Sequence, residues 1–109
     1  MDFIINGRNW HIRELEQDKI LKLYQEEYEN GTYCFGMTKY PQQTIYINKD
    51  MCVEVKKQTL YHELMHCYLF SYFHEASEFG LEALCDISAN SHDIIHDIAE
   101  EYFKNGVDK

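Results

Sequence analysis

Between Val53 and Phe73 the chain runs without a glycine or proline and is rich in Leu, Met, Glu and Lys, a composition that predicts one long α-helix. From Leu60 onward, Leu60, Tyr61, Leu64, Met65, Cys67, Tyr68, Leu69, Phe70 and Tyr72 cannot share one stripe of a helix, so burial on almost every side is expected. A chain of 109 residues with 45% hydrophobic content can build one core around such a helix but not two. Residues 1–109 therefore read as a single domain. The 27% charged content and the single proline exclude a disordered or collagen-like chain.

The remaining elements follow from shorter signals. Phe3-Ile4-Ile5 and Trp10-His11-Ile12 flank Asn6-Gly7, a strong hairpin signal. From Asp18, as N-cap, the apolar positions Ile20, Leu21, Leu23, Tyr24 and Tyr28 recur at helical spacing, with Asn30-Gly31 as the stop. Thr32 to Thr38 and Thr44-Ile45-Tyr46-Ile47 read as a second hairpin with Pro41 in its turn. After Gly80 a final helix is expected to about Phe103, with Leu84, Ile87, Ile94, Ile95, Ile98 and Tyr102 inward and Asn105-Gly106 as its stop. The order β-β-α-β-β-α-α predicts an α+β fold in which a small antiparallel sheet packs on the long buried helix and the C-terminal helix.

The long helix contains His62-Glu63-Leu64-Met65-His66, an H-E-x-x-H motif. Histidines four residues apart differ by roughly 40° around a helix and about 6 Å along it, so both rings can converge on one ion. Glu63 projects about 100° from His62, where it can take a proton from a water activated by that ion. Unpaired in an apolar helix, two imidazoles and a carboxylate carry a desolvation cost that zinc would remove. Satisfied core histidines are the alternative.

A catalytic zinc needs a third protein ligand and an open position. The metzincin continuation is excluded, since Leu69 and Tyr72 stand where it requires glycine and histidine. Downstream candidates are His74, Glu75, Glu78, Glu82, Asp86, His92 and His96. Glu82 and Asp86 form E-x-x-x-D at the start of the last helix, so Glu82 could complete the site while Asp86 accepts a hydrogen bond from a ligand imidazole. Both could equally be an exposed acidic face. His92 and His96 make a second i, i+4 pair, but Asp93 stands where the motif has glutamate, so they read as surface or helix-packing histidines. His74 is a candidate oxyanion-stabilising group or a plain helix-end histidine.

With the Thr44–Ile47 strand before it and Glu82-x-x-x-Asp86 after it, His62-Glu63-Leu64-Met65-His66 resembles the gluzincin pattern. The likeness is closer still to the small ImmA/IrrE-type metallopeptidases of phages and mobile elements, over roughly residues 33–90. The resemblance implies a zinc endopeptidase with His62, His66 and Glu82 as ligands and Glu63 as catalytic base. Met65 and Cys85-Asp86 depart from the glycine and the alanine-asparagine pair common there.

The net charge of −9 is uneven, because residues 75–109 hold nine acidic and two basic residues. That surface repels a phosphate backbone, so no nucleic-acid partner is expected. Met1 to Gly7 has neither a basic region nor a long apolar stretch, so no membrane span is expected and the expected location is cytoplasmic. Cys34, Cys52, Cys67 and Cys85 form no C-x-x-C unit and read as free, mostly buried thiols. The expected function is zinc-dependent hydrolysis of a peptide or protein substrate, with Thr44–Ile47 as the edge strand that holds it. Alternatives are a catalytically idle zinc domain binding a partner protein through that edge, and a hydrolase acting on a non-peptide amide.

Overall fold

The structure, a computed structural model, describes residues 1–26, 33–73 and 80–104. Its elements are β1 (Asp2–Ile5), β2 (Arg8–Leu15), α1 (Gln17–Gln25), β3 (Gly36–Lys39), β4 (Thr44–Asn48), α2 (Val53–Phe73) and α3 (Leu81–Lys104). The expected order of elements is present. Asn6 and Gly7 join β1 to β2 with φ of 49° and 76°, and a two-residue turn with both φ positive matches the twist of its flanking strands.

α1 begins one residue before the expected cap. Glu16 holds the N-cap position without a side-chain bond, while the Gln17 N–H donates to Asp50 Oδ2 at 3.0 Å, and Asp18 lies in the first turn. The stops expected at Asn30-Gly31 and Asn105-Gly106 lie outside the described residues.

The sheet is mixed rather than antiparallel, with strand order β1-β2-β4-β3. β4 returns antiparallel from β3 and inserts between β3 and β2, so it runs parallel to β2, with Ile12 opposite Ile45 and Leu15 opposite Asn48. Thr44–Ile47 is therefore an interior strand, not the edge. Its Thr44, Ile45, Ile47 and Asn48 are all buried, and a strand covered on both faces carries continuous β-branched residues instead of alternating polar ones. The edge beside it is β3.

Phe3, Ile5, Trp10, Ile12, Ile45 and Ile47 form one sheet face, against which α2 packs Leu60, Leu64, Cys67 and Tyr68. Met37 lies on the opposite face with Ile20 of α1 and with Cys34. Among the described residues α2 is covered by the sheet and by α3 but not all round: its buried positions are Lys56, Leu60, Glu63, Leu64, Cys67, Tyr68 and Ser71, while His62 and Tyr72 are exposed. Lys56 Nζ lies 3.2 Å from Glu14 Oε1, and the Tyr102 hydroxyl donates to Glu14 Oε2, which ties β2, α2 and α3 together in the core.

α3 faces the core through Ile87, Ser91, Ile95, Ile98, Ala99 and Tyr102. Leu84 and Ile94, expected inward, are exposed. Tyr61 OH and His96 Nδ1 are 2.8 Å apart and Ser91 Oγ meets Met65 Sδ at 3.9 Å, so the helices run antiparallel. That register sets Leu84 level with the last turn of α2, whose Tyr72 and Phe73 are exposed as well. Among the described residues, no helix is long and apolar enough to cross a membrane.

α2 packs tightly against β3 at Gly36. A Cβ there would stand 2.7 Å from Thr59 Cγ2 and 3.2 Å from the Tyr46 carbonyl oxygen, so α2 and β3 can approach this closely only because the side chain is absent. Gly36→Ala should destabilise the fold by about 1–3 kcal/mol, the usual cost of overpacking, read as a lower midpoint in denaturant at unchanged slope. A midpoint equal to the parent's would show that Thr59 turns aside without strain.

Candidate metal centre

On the flank of α2 next to β3, the rings of His62 and His66 meet edge to face, with Nε2 atoms 3.2 Å apart. Two imidazole nitrogens at 2.0–2.1 Å from a tetrahedral zinc are themselves roughly 3.3 Å apart. The donor atoms therefore fit a shared ion in spacing and in kind. The histidines do not need that ion to be solvated, however, because the His62 side chain is 69% exposed and His66 is half-buried. The desolvation expected for all three residues applies to Glu63 alone.

Glu63 is 6% exposed, and the Thr38 hydroxyl donates to its Oε1 at 2.7 Å. Its Oε2 lies 4.0 Å from His62 Nε2. Thr38 is on β3, where its alternation with Met37 turns it toward α2 beside Gly36. Past the end of β3, the Tyr40 hydroxyl stands 3.3 Å from His66 Nδ1. Neither Thr38 nor Tyr40 was expected in the site. The readable signal was the parity of the third strand: with Tyr33, Phe35 and Met37 on one side, Gly36 and Thr38 must share the other.

A cleft of about 570 Å³ opens beside the motif, with His62 and Glu63 in its wall and Tyr33, Cys34, Phe35 and Thr59 among its other lining residues. The exposed rings of Tyr33 and Phe35 pack edge to face there, their centroids 4.8 Å apart. Burial raises the Cys34 thiol above its ordinary value, and the Glu63 charge adds to the shift. Cys67 is raised much further by the same two causes.

Among the described residues, no three His, Cys, Asp or Glu side chains converge as a metal-binding group. The helix register explains why Glu82 is not with the pair. Continued from Ser91 opposite Met65, it sets Glu82 level with a point just beyond the end of α2 at Phe73, roughly 12 Å along the axis from His66. Glu82 and Asp86 are both exposed. Tyr61 and Met65, the residues of α2 that touch α3 here, are turned about 100° away from His62 and His66. His92 and His96 stack on the surface of α3 with centroids 5.8 Å apart, His96 bonded to Tyr61. His74, Glu75 and Glu78 lie outside the described residues.

The four thiols, all free as expected, separate into buried Cys34 and Cys67 and exposed Cys52 and Cys85, so half rather than most of them are buried. Alkylation at mildly alkaline pH should label Cys52 and Cys85 quickly and Cys34 and Cys67 slowly. Glu63→Gln removes a negative charge that raises the Cys34 thiol, so thiolate becomes easier to form and Cys34 should label faster. Mass-spectrometric rates for each cysteine check both statements; an unchanged Cys34 rate would mean that the two side chains do not interact electrically.

Comparison of the chain with family models, curated proteins and solved structures found no match.

Proposed function

We propose that the chain is a zinc-dependent peptidase in which His62 and His66 hold the metal and Glu63 is the general base. The observation that supports this most is the pairing of two Nε2 atoms at 3.2 Å with a buried carboxylate beside them. Zinc held there supplies a Lewis acid that polarises the scissile carbonyl and makes water easier to deprotonate. Thr38 fixes Glu63 through Oε1, which leaves Oε2, on the His62 side, to take the proton from the attacking water and return it to the amine leaving group.

The substrate strand belongs on β3. Gly36–Lys39 is the last strand of the sheet on this side and ends beside the motif, so an extended peptide can pair with its main chain while one side chain enters the aromatic cleft. The third protein ligand proposed is Glu82, on the sequence argument alone. It can serve only if the first turn of α3 closes toward His66.

A second reading, an inactive zinc domain that binds a partner protein along β3, is favoured by one observation: Glu82 stands apart from the pair. Two experiments separate the readings. Protein purified without added metal should carry about one zinc per chain, lost to chelators. Glu63→Gln should keep that zinc while hydrolysis of an unfolded protein substrate falls by about 10²–10⁴, since shape is retained and the base is not. Hydrolysis at the parental rate removes Glu63 from the reaction, and no hydrolysis by the zinc-loaded parent leaves the partner-binding reading.

Zinc titration places the third ligand. Glu82→Ala should weaken binding strongly, Asp86→Ala by about 10–100-fold at most, and His92→Ala with His96→Ala hardly at all. Parental affinity in Glu82→Ala would assign the third position elsewhere.

A further inference from the structure

The hydroxyl beside His66 is held with unusual care for a turn residue. The Tyr40 ring stacks on Phe70 with centroids 4.8 Å apart and planes at 25°. Phe70 follows His66 by four residues on α2, so the two side chains lie on one flank of the helix. Phe70 is fixed in its turn: Trp10 meets it edge to face at 6.0 Å, and the Arg8 guanidinium lies 5.2 Å over its ring. Trp10 is fully buried and donates its Nε1–H to Ser71 Oγ at 3.0 Å.

The backbone around Tyr40 is fastened from the other side. The Gln43 N–H donates to the Tyr40 carbonyl at 3.1 Å, and the Gln43 carbonyl accepts from the His11 N–H at 2.9 Å. The Gln43 side chain donates to the Asn9 carbonyl at 2.6 Å and accepts from Arg8 Nη1 at 3.3 Å. Gln43 has a φ of 47°, a left-handed conformation that a non-glycine residue keeps only where its surroundings enforce it. Both hairpins and α2 thus converge on the position of one phenol.

An imidazole bound through one nitrogen is oriented, and its tautomer chosen, by what the other nitrogen meets. We propose that Tyr40 is a positioning residue: its hydroxyl oxygen accepts Nδ1–H of His66, which turns the Nε2 lone pair toward His62 and readies the pair for a divalent transition metal. The inference rests on the zinc reading given above, and it assigns to a residue before the motif the orienting task that the sequence offered to Asp86.

The test uses the full chain in parental form and as Tyr40→Phe and Phe70→Leu. Nitrogen NMR of His66 in the metal-free parent should show the Nδ1–H tautomer in excess, and Tyr40→Phe, which keeps the stacked ring, should lose that excess. Zinc affinity should fall about 10–100-fold in Tyr40→Phe and by less in Phe70→Leu, where the hydroxyl remains but its support is loosened. The metal-free melting temperature of Tyr40→Phe should match the parent's, which a merely structural role would not allow. An excess of Nε2–H in the parent overturns the proposal without any variant, as does parental zinc affinity in Tyr40→Phe. Should the parent bind no zinc, the peptidase reading fails by itself, and the metal-free tautomer still decides the role of Tyr40.

Discussion

The close approach of α2 to β3 across Gly36 is the constraint on which the candidate centre depends. Any side chain at this position would press on Thr59 and on the backbone of β4, and the helix would stand further from the strand. At the distance it keeps, the hydroxyl of Thr38 reaches the carboxylate of Glu63, and Tyr40 just beyond reaches His66. A centre of this kind tolerates little displacement, since hydrogen bonds weaken steeply beyond their normal length. The strand supplies the partners, the helix supplies the functional groups, and a missing methyl sets the distance between them.

A half-buried carboxylate, Glu14, and a buried one, Glu63, show how differently one fold can treat the same chemical group. Glu14 receives an ammonium from Lys56 and a hydroxyl from Tyr102, so both of its oxygens are committed to holding three elements together. Glu63 receives a neutral hydroxyl on one oxygen and turns the other toward the imidazole of His62 at the wall of the cleft. Truncating Glu14 would leave the Lys56 ammonium buried without its counter-charge, a change that costs stability. Glu63 is suited to reaction for the reason that Glu14 is suited to support: what surrounds its second oxygen.

Local patterns were legible where a short stretch determines them. Asn6-Gly7 forms its turn, the glycine- and proline-free run is a helix from Val53 to Phe73, and four-residue spacing brings His62 and His66 together. Relations between distant stretches were not. The strand Thr44–Ile47, expected at the edge, lies inside the sheet, a place its β-branched and aromatic run without polar alternation suits. Glu82 was paired with the motif on the assumption that the last helix starts opposite it, whereas contacts such as Tyr61 with His96 set the middle of that helix there. Strand parity could set Thr38 on the face with Gly36, but not which helix covers that face, and Tyr40 beyond the strand carries no such mark.

The parallel join of β2 to β4 also sets an order of assembly. β1 and β2 can zip from their two-residue turn, and β3 with β4 from theirs, each at the small entropic cost of a short loop. Uniting the two hairpins brings His11 beside Thr44, 33 positions away, and that longer loop must close before the ladder between them repays it. Until then the inner edge of β4, later the most protected strand of the sheet, is open to other chains. A nascent molecule of this protein is therefore most vulnerable to misassociation at the strand that is safest once folding is complete.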